Sequence, residues 1–323
     1  MIYDYYLSVA KNEEIKEFNK WDKEKEQSFS SKNKREKWKN KKYEEKYKLW
    51  LEEMFIKPLA QEKREITNQI KEKKDESKSI LYFYPKSEDP KHFPENSTLI
   101  KITFTLKKPY TSKDEGEFHI INNKVFENPI VRDKFTGLPM VRPSTWKGHL
   151  RFAAGKVEGY KNKKKIIKRL FGNESGDDDL LKGRLYFFPT FFKDDTKKDV
   201  ITPLKRDTRT PARGPISLEI MKRGNKGEFY LLYIPYPKGK DFKEEQVGED
   251  LKFLAEALKI MFYTYGFSAK KTSGFGVIEE KLNEDEDKNI VWIKTDEKID
   301  NKTFSHLDEL KNQVIRMVEK KNE

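Results

Sequence analysis

The chain has 323 residues, 38% of them charged and 35% hydrophobic, so one large or two small domains are expected, with a solvated or disordered segment beside a core rich in its 22 Phe and 15 Tyr. A formal net charge of +13 points to a polyanionic partner, most often nucleic acid, or to the solubility of a Lys-rich protein. The absence of cysteine excludes disulfides, iron–sulfur clusters, thiolate zinc sites and cysteine nucleophiles, and no run is apolar enough to span a bilayer or to resemble a signal peptide, so a cytoplasmic protein with no membrane partner is expected.

Residues 1–10 carry Tyr3, Tyr5, Tyr6 and Leu7, an aromatic segment that suits a strand or a helix start. From 11 to 79 Lys and Glu dominate, with no Gly and only Pro58. Tyr47, Trp50, Leu51, Met54 and Phe55 recur at helical spacing, Pro58 ends or kinks that helix, and a second helix bearing Leu59, Ile66 and Ile70 follows. This helical hairpin reads as a solvated appendage with a docking stripe, or as a partner-binding or RNA-clamping arm. Trp38, Tyr43, Tyr47 and Trp50 interleave with lysines there, and aromatic rings stack on bases. Residues 80–97 form a Pro-containing connection, which sets an N-terminal segment 1–97 apart from a domain over 98–323. Ile100, Ile102, Phe104 and Leu106 alternate with polar residues as in a half-buried strand, and 110–126 is polar with short β-prone pieces.

Glu127–Arg151 reads ENPIVRDKFTGLPMVRPSTWKGHLR. Thr136-Gly137 predicts a turn, Leu138–Val141 a short buried segment, and Pro143 its end. Ser144 or Thr145 is placed to cap a helix reaching about Ala154. Lys147, His149 and Arg151 lie in its first two turns, where free amides and cations suit a phosphate, unless this is an ordinary strand–turn–helix junction with solvated charges. LPMVRPSTWKGHLR resembles the P-x-I-P-G-S-S-L-K-G-x-L-R stretch of the RAMP superfamily, the ferredoxin-like RNA-binding subunits of CRISPR effector complexes. Pro143, Ser144, Lys147, Gly148, Leu150 and Arg151 match; the usual Gly is missing, and Trp146 replaces a smaller aliphatic residue. ENPIVRD is also similar to that superfamily's D-x-P-V-x-R-D run, in which some type III backbone subunits cut target RNA with a metal. The resemblance implies catalytic roles for Glu127, at the catalytic Asp position, and Asp133, at the second acid, with Mg²⁺ if the chain cleaves RNA. Glu is longer than Asp, and a misplacement of ~1 Å can cost ~100-fold in rate, so a binding role is favoured over cleavage. Asp133 otherwise pairs with Arg132 or Arg142, or caps a turn.

Residues 161–171, KNKKKIIKRLF, predict a helix closed by Gly172; Asp177–Asp179 follow in a polar loop, solvated or attracting a cation. Gly183–Phe192 is an aromatic strand. Residues 193–215 are basic and Pro-rich, a floppy surface loop or, as the resemblance implies, the superfamily's protruding hairpin, or thumb, that touches RNA. Ile216–Met221 and Glu228–Ile234 are strands joined through Gly224 and Gly227. An apolar stripe predicts a helix over 249–265, ended by Gly266. Tyr265–Val277, YGFSAKKTSGFGV, resembles the superfamily's C-terminal glycine-rich loop, roughly G-x-G-A-K-x-S-x-G-F-G, with Ser268 where a Gly is common; closely spaced glycines let a backbone approach phosphates, though a plain hairpin turn reads similarly. Phe275–Glu279 is expected as the last core strand, 289–294 as an edge strand, and Ser305–Lys320 as a closing helix with a Ser305/Asp308 capping box.

From residue 98 the order is strand, helix, strand, strand, helix, strand. That predicts an α+β chain with a ferredoxin-like (RRM-like) βαββαβ core, an N-terminal helical insertion, helices on one face of an antiparallel sheet and the other face free for RNA. The RNA-contacting candidates are Arg132, Arg142, Ser144, Thr145, Lys147 and Arg151 at the helix start, Lys205, Arg206, Arg209 and Arg213 in the thumb, and Lys270, Lys271, Gly274 and Gly276 in the glycine loop. The P-loop, H-E-x-x-H and helix-opening G-x-G-x-x-G patterns are absent, and no resident metal site is expected. His119 or His149 could serve as a general base for RNA cleavage, which needs a pKa near 7, or be structural. The resemblance implies a guide-RNA (crRNA)-binding subunit of a type III effector that holds guide and target RNA beside other RAMP subunits and a large polymerase-like subunit. The alternatives are a CRISPR repeat-processing endoribonuclease, or a non-CRISPR basic RNA-binding protein.

Overall fold

The computed structural model describes residues 17–51, 53–54, 84–86, 88–112, 119–121, 124–126, 129–134, 136–173, 181–205, 207–212, 214–236, 242–282, 289–295 and 298–319. The aromatic start, the second arm helix, Glu127, Asp177–Asp179, Arg206 and Arg213 lie outside the described residues. The elements in chain order are α1 (Lys32–Lys39), α2 (Tyr43–Leu51), β1 (Thr98–Thr105), β2 (His119–Ile121), β3 (Lys124–Phe126), β4 (Met140–Val141), α3 (Pro143–Ala154), α4 (Lys163–Phe171), β5 (Leu185–Phe187), β6 (Thr190–Phe191), β7 (Lys197–Ile201), β8 (Ile216–Ile220), β9 (Lys226–Tyr233), α5 (Glu245–Ile260), β10 (Ile290–Lys294), β11 (Ile299–Thr303) and α6 (Leu307–Glu319). A further helical run covers 17–28. The chain divides into one unit of Met1–Glu72 with His119–Phe126, and a larger one of Lys73–Phe118 with Glu127–Glu323.

In the larger unit the alternating apolar residues of β1 place it at the centre of a five-stranded antiparallel sheet, in the order β11-β10-β1-β9-β5. With β1, β5, β9 and β10 as first to fourth strands and α3 and α5 as the two helices, the order is fourth-first-third-second. This is the ferredoxin-like plan within an α+β class. Ile100, Ile102 and Phe104 of β1 and Phe229, Leu231 and Tyr233 of β9 pack against Trp146 and Leu150 of α3 and Leu251, Leu254 and Leu258 of α5. Trp146 is the hub of this core, fully buried, its ring 4.3 Å from that of Phe267 and 4.7 Å from that of Phe229, its Nε1 donating to Thr190 Oγ1 at 3.1 Å. Truncating such a ring to Ala costs about 3–5 kcal/mol.

The structure corrects three expectations. Phe275–Glu279 is not a strand: Gly274 and Gly276 hold φ of 73° and 79°, the extended path breaks there, and only the bridge Leu106–Ile278 remains. The fourth core strand is β10, and β11 is the edge. The second sheet face is not free either. Leu99, Tyr230 and Leu232 are buried on it, Tyr84 stacks on Tyr230 with centroids 4.6 Å apart, and Asn96 N donates to Lys294 O at 2.8 Å, tying the preceding segment down. Ahead of α6, Glu309 rather than Asp308 answers Ser305: it accepts from Ser305 N at 2.8 Å, while Asp308 pairs with Lys259.

This unit also holds a buried charge network that its sequence does not announce. Asp250, fully buried on α5, accepts from Arg169 Nη2 of α4 at 2.6 Å, from Arg184 Nη1 at 2.7 Å and from Tyr233 Oη of β9 at 3.1 Å. Burial pushes its carboxyl up, against the pull of both guanidiniums.

The smaller unit is a helical arm with an aromatic core of its own. Phe18 and Trp50 are 1% exposed and Trp38 7%. Phe18 meets Tyr43 and Trp50 edge-on at 5.0 and 5.8 Å, and Trp38 Nε1 donates to Asp22 Oδ1 at 2.7 Å. Trp38 and Trp50 are therefore core residues and not open stacking platforms, because three packed helical runs need an interior. The β2–β3 hairpin, inserted after β1 in the chain, belongs to this unit.

Candidate nucleic-acid interface

The candidate interface is assembled on Pro109–Ser112, at the start of the stretch read from sequence as polar with short β-prone pieces. Tyr110 exchanges backbone hydrogen bonds with Met221, just past β8, at 3.0 and 2.8 Å. Thr111 Oγ1 donates to Glu219 O at 2.8 Å, and the Thr111 backbone bonds Ser268 of the glycine loop through both its N–H and its C=O. Gly276 N donates to Pro109 O at 2.8 Å, and Val131 N to Ser112 Oγ at 2.8 Å. The end of β8, the glycine loop and the turn before α3 thus hang on four consecutive residues. The one sequence signal was Ser268 itself, a hydroxyl where a Gly is common; nothing marked Thr111.

At the helix start, Pro143 is the first residue of α3 and Arg142 the N-cap, with no side-chain cap hydrogen bond. The expected Ser144 or Thr145 cap is corrected: a proline with preset φ opens the helix and puts the cap at Arg142, two or three residues earlier, so both hydroxyl residues fall inside the first turn. Their positions still define two rows. Ser144, Lys147, Gly148 and Arg151 share one face at helical spacing, and Thr145, His149 and Phe152 share the next. Ser144, Lys147 and Arg142 are exposed; Trp146 and Leu150 point inward.

The glycine loop meets the second row. Lys271 Nζ lies 4.0 Å from the centroid of the Phe152 ring, which is 41% exposed and also edged by Tyr265 at 5.1 Å. Burial, then the neighbouring Lys271 ammonium, pulls the His149 imidazole down to about 4. A group titrating there is a poor general base at neutral pH, which removes the physical reason for that role at His149; the side chain of His119 lies outside the described residues. Lys270 is exposed with a left-handed φ of 64°, and Gly274 has open space where a Cβ would stand. Gly276 is different: it is buried, and a Cβ there would come within 2.7 Å of Ser268. It is required for packing rather than for an approach from solvent.

The described residues of 193–215 are not a floppy loop: they form a hairpin with the strand that follows at 216–220. β7 pairs with β8 from Lys197–Ile220 to Ile201–Ile216, and the tip is closed by Lys205 N to Thr210 O at 2.8 Å and Arg209 N to Lys205 O at 3.0 Å. Lys205 and Arg209 are exposed at that tip. Phe275 of the glycine loop packs on Leu218 and Ile220 at the base.

Arg132 and Asp133 have internal duties. Arg132 donates to Gly137 O at 2.9 Å, Thr196 Oγ1 at 2.8 Å and Glu219 Oε1 at 2.6 Å, and Glu219 is fully buried. A buried carboxylate needs that partner, so the guanidinium is a structural tie. Asp133 Oδ2 accepts from Thr136 N and Oγ1, each at 2.8 Å, while Gly137 N donates to Asp133 O: the carboxylate caps the turn, one of the roles its sequence suggested. Among the described residues no three His, Asp or Glu side chains gather as metal ligands, and Glu127 lies outside them, so the residues present assign no place to Mg²⁺. No helix among the described residues is long and apolar enough to cross a membrane.

A curated relative from Streptococcus thermophilus, named the CRISPR system Cms endoribonuclease Csm3, is 30% identical over 207 residues, 57% of this chain and 90% of its own length. Among solved structures, a chain of the Csm3–Csm4 subcomplex of the type III-A CRISPR-Cas interference complex is similar at a TM-score of 0.41 and 15% identity, over 69% of this chain and 96% of that one. A chain of the type III-B Cmr-beta complex bound to cognate target RNA is similar at 0.40 and 17%, and this chain spans 64% of itself and 61% of that chain's length in the match. The family model described as the RAMP superfamily matches residues 98–279, more than half of the 323 residues, and takes in β1, both core helices and the glycine loop: this chain belongs to the RAMP superfamily.

Proposed function

We propose that the chain is a guide-RNA-binding subunit of a type III CRISPR ribonucleoprotein effector, holding crRNA and target RNA beside other RAMP subunits and a large polymerase-like subunit. The observation that carries this reading is the meeting of two distant basic motifs, with Lys271 of the glycine loop 4.0 Å over Phe152 of α3. Lys147 and Arg151 occupy the adjoining row of the same helix, and the 30% identity to Csm3 supports the assembly. Lys147, Arg151, Lys270 and Lys271 contact phosphates, which carry no base information, while Lys205 and Arg209 reach RNA from the thumb. Neutralising those first four residues should weaken binding equally for unrelated RNA sequences. Losing ~0.7 of log–log salt slope per contact, the slope should shrink by about 3. A loss confined to one RNA sequence would contradict the reading.

That relative is named an endoribonuclease, which favours a second activity, RNA cleavage; the resemblance of ENPIVRD would make it metal-assisted cleavage of target RNA through Glu127 and Asp133. Mg²⁺-dependent cutting by the assembled complex decides it. A specific cut that Glu127→Ala abolishes with RNA binding unchanged makes the chain a nuclease; no cut in the wild type leaves binding as its role.

A further inference from the structure

The arm carries a surface outside the family-matched region and outside the interface above. Seven of the eleven residues 32–42 are Lys or Arg, and one, Glu36, is acidic. Some cations of the arm are paired: Lys25 with Glu53 at 2.6 Å, Lys46 with Asp22 at 3.2 Å and, within this stretch, Lys39 with Glu26 at 3.3 Å. Lys32, Lys34, Lys37 and Lys42 are exposed and have no acidic partner among the described residues. Like charges this dense repel, and nothing in the folding of α1 requires them, because the helix is held by Trp38 in the aromatic core.

Beside the cations stands an exposed ring. Tyr43 is 56% exposed and is fixed edge-on by Phe18 at 5.0 Å, one residue after Lys42. Exposed rings flanked by cations are what unpaired bases stack on, and the cations track the phosphates. An anionic membrane fits less well: an interfacial helix needs an apolar face to bury, and the one large apolar residue of α1, Trp38, points into the arm. We propose that α1 and Tyr43 form a second binding surface, for single-stranded RNA, independent of the α3 and glycine-loop interface.

The test uses the full chain and a fluorescein-labelled oligouridylate, read by anisotropy over a range of salt. The combined variant Lys32→Gln, Lys34→Gln, Lys37→Gln should reduce the salt slope by about 2 and affinity about tenfold, three contacts at ~0.7 each. Tyr43→Ala should weaken binding, and Tyr43→Phe should retain it, because Phe keeps the stacking face. Thermal melts check that the variants fold; all substituted side chains are exposed, and the charge-reversed Lys→Glu set provides an independent variant. An unchanged slope in both sets overturns the proposal. So does Tyr43→Ala behaving as wild type, and so does capture of phosphatidylserine vesicles that falls in step with RNA binding. A loss seen only when Lys147, Arg151, Lys270 and Lys271 are neutralised sinks this surface and leaves the proposed function standing. A loss seen only with the arm variants does the reverse.

Discussion

Ser268 Oγ donates to Thr111 O and accepts from Thr111 N, each at 2.8 Å, across 157 residues of sequence. All of this is buried, so the side chain clamps the glycine loop to the segment leaving β1. Ser268→Ala keeps the Ala269 N bond to Thr111 O but leaves Thr111 N without an acceptor. The expected cost is about 1–3 kcal/mol in urea unfolding, with RNA binding weakened without a change in sequence preference. A variant as stable as wild type would show that the loop is held without this clamp.

Lys271 over Phe152 is the second contact to test. An exposed cation–π pair is worth about 0.5–1 kcal/mol, so Phe152→Ala should lower RNA affinity about two- to fivefold by freeing the ammonium, and Phe152→Tyr should restore it. Equal affinities for Phe152→Ala and Phe152→Tyr would assign the ring to packing alone.

His149 makes stability depend on pH. Its Nδ1 is buried with no hydrogen-bond partner among the described residues, and its pKa falls from 6.5 to about 4. The unfolded chain therefore binds the proton first, and stability rises with pH across this window. It is full above 6.5 and falls by up to roughly 3 kcal/mol as pH drops towards 4. His149→Gln should flatten that part of the curve in denaturation at pH 4.5, 5.5 and 7; an unchanged curve would place the titration elsewhere.

Asp250 is the stability hub. Asp250→Ala leaves Arg169 with Glu249, Arg184 with Gln246 and the buried Tyr233 hydroxyl without its carboxylate partner, and breaking such a network costs about 3–5 kcal/mol. The midpoint of urea unfolding should fall accordingly, with Asp250→Asn intermediate because it keeps acceptor capacity. A loss under ~1 kcal/mol for Asp250→Ala would mean that water replaces the carboxylate.

How much of this the sequence carried depended on distance along the chain. The Pro143 break, the span of α3 to Ala154, Gly172 closing α4, Gly266 ending the helical run after α5 and the 136–137 turn were legible, because each rests on neighbours within one turn of backbone. The two motifs were legible as well, each within about a dozen residues, and so was the Asp133 cap. So was the ferredoxin-like plan of the sheet, but the closing of the second sheet face by Tyr84 on Tyr230 and the choice of β10 over 275–279 as fourth strand were not. Both segments have strand-like residues, and pairing partners decide between them. Burial reassigned Trp38 and Trp50, since aromatics among lysines read alike whether they stack on bases or on one another. The sequence by itself determined the local elements, the basic character and the family motifs. Only the tertiary structure decided that Thr111 holds the glycine loop, that Arg132 serves Glu219, and that Asp250 gathers two arginines, because hydrogen bonds and ion pairs between distant residues leave no periodic trace in the chain.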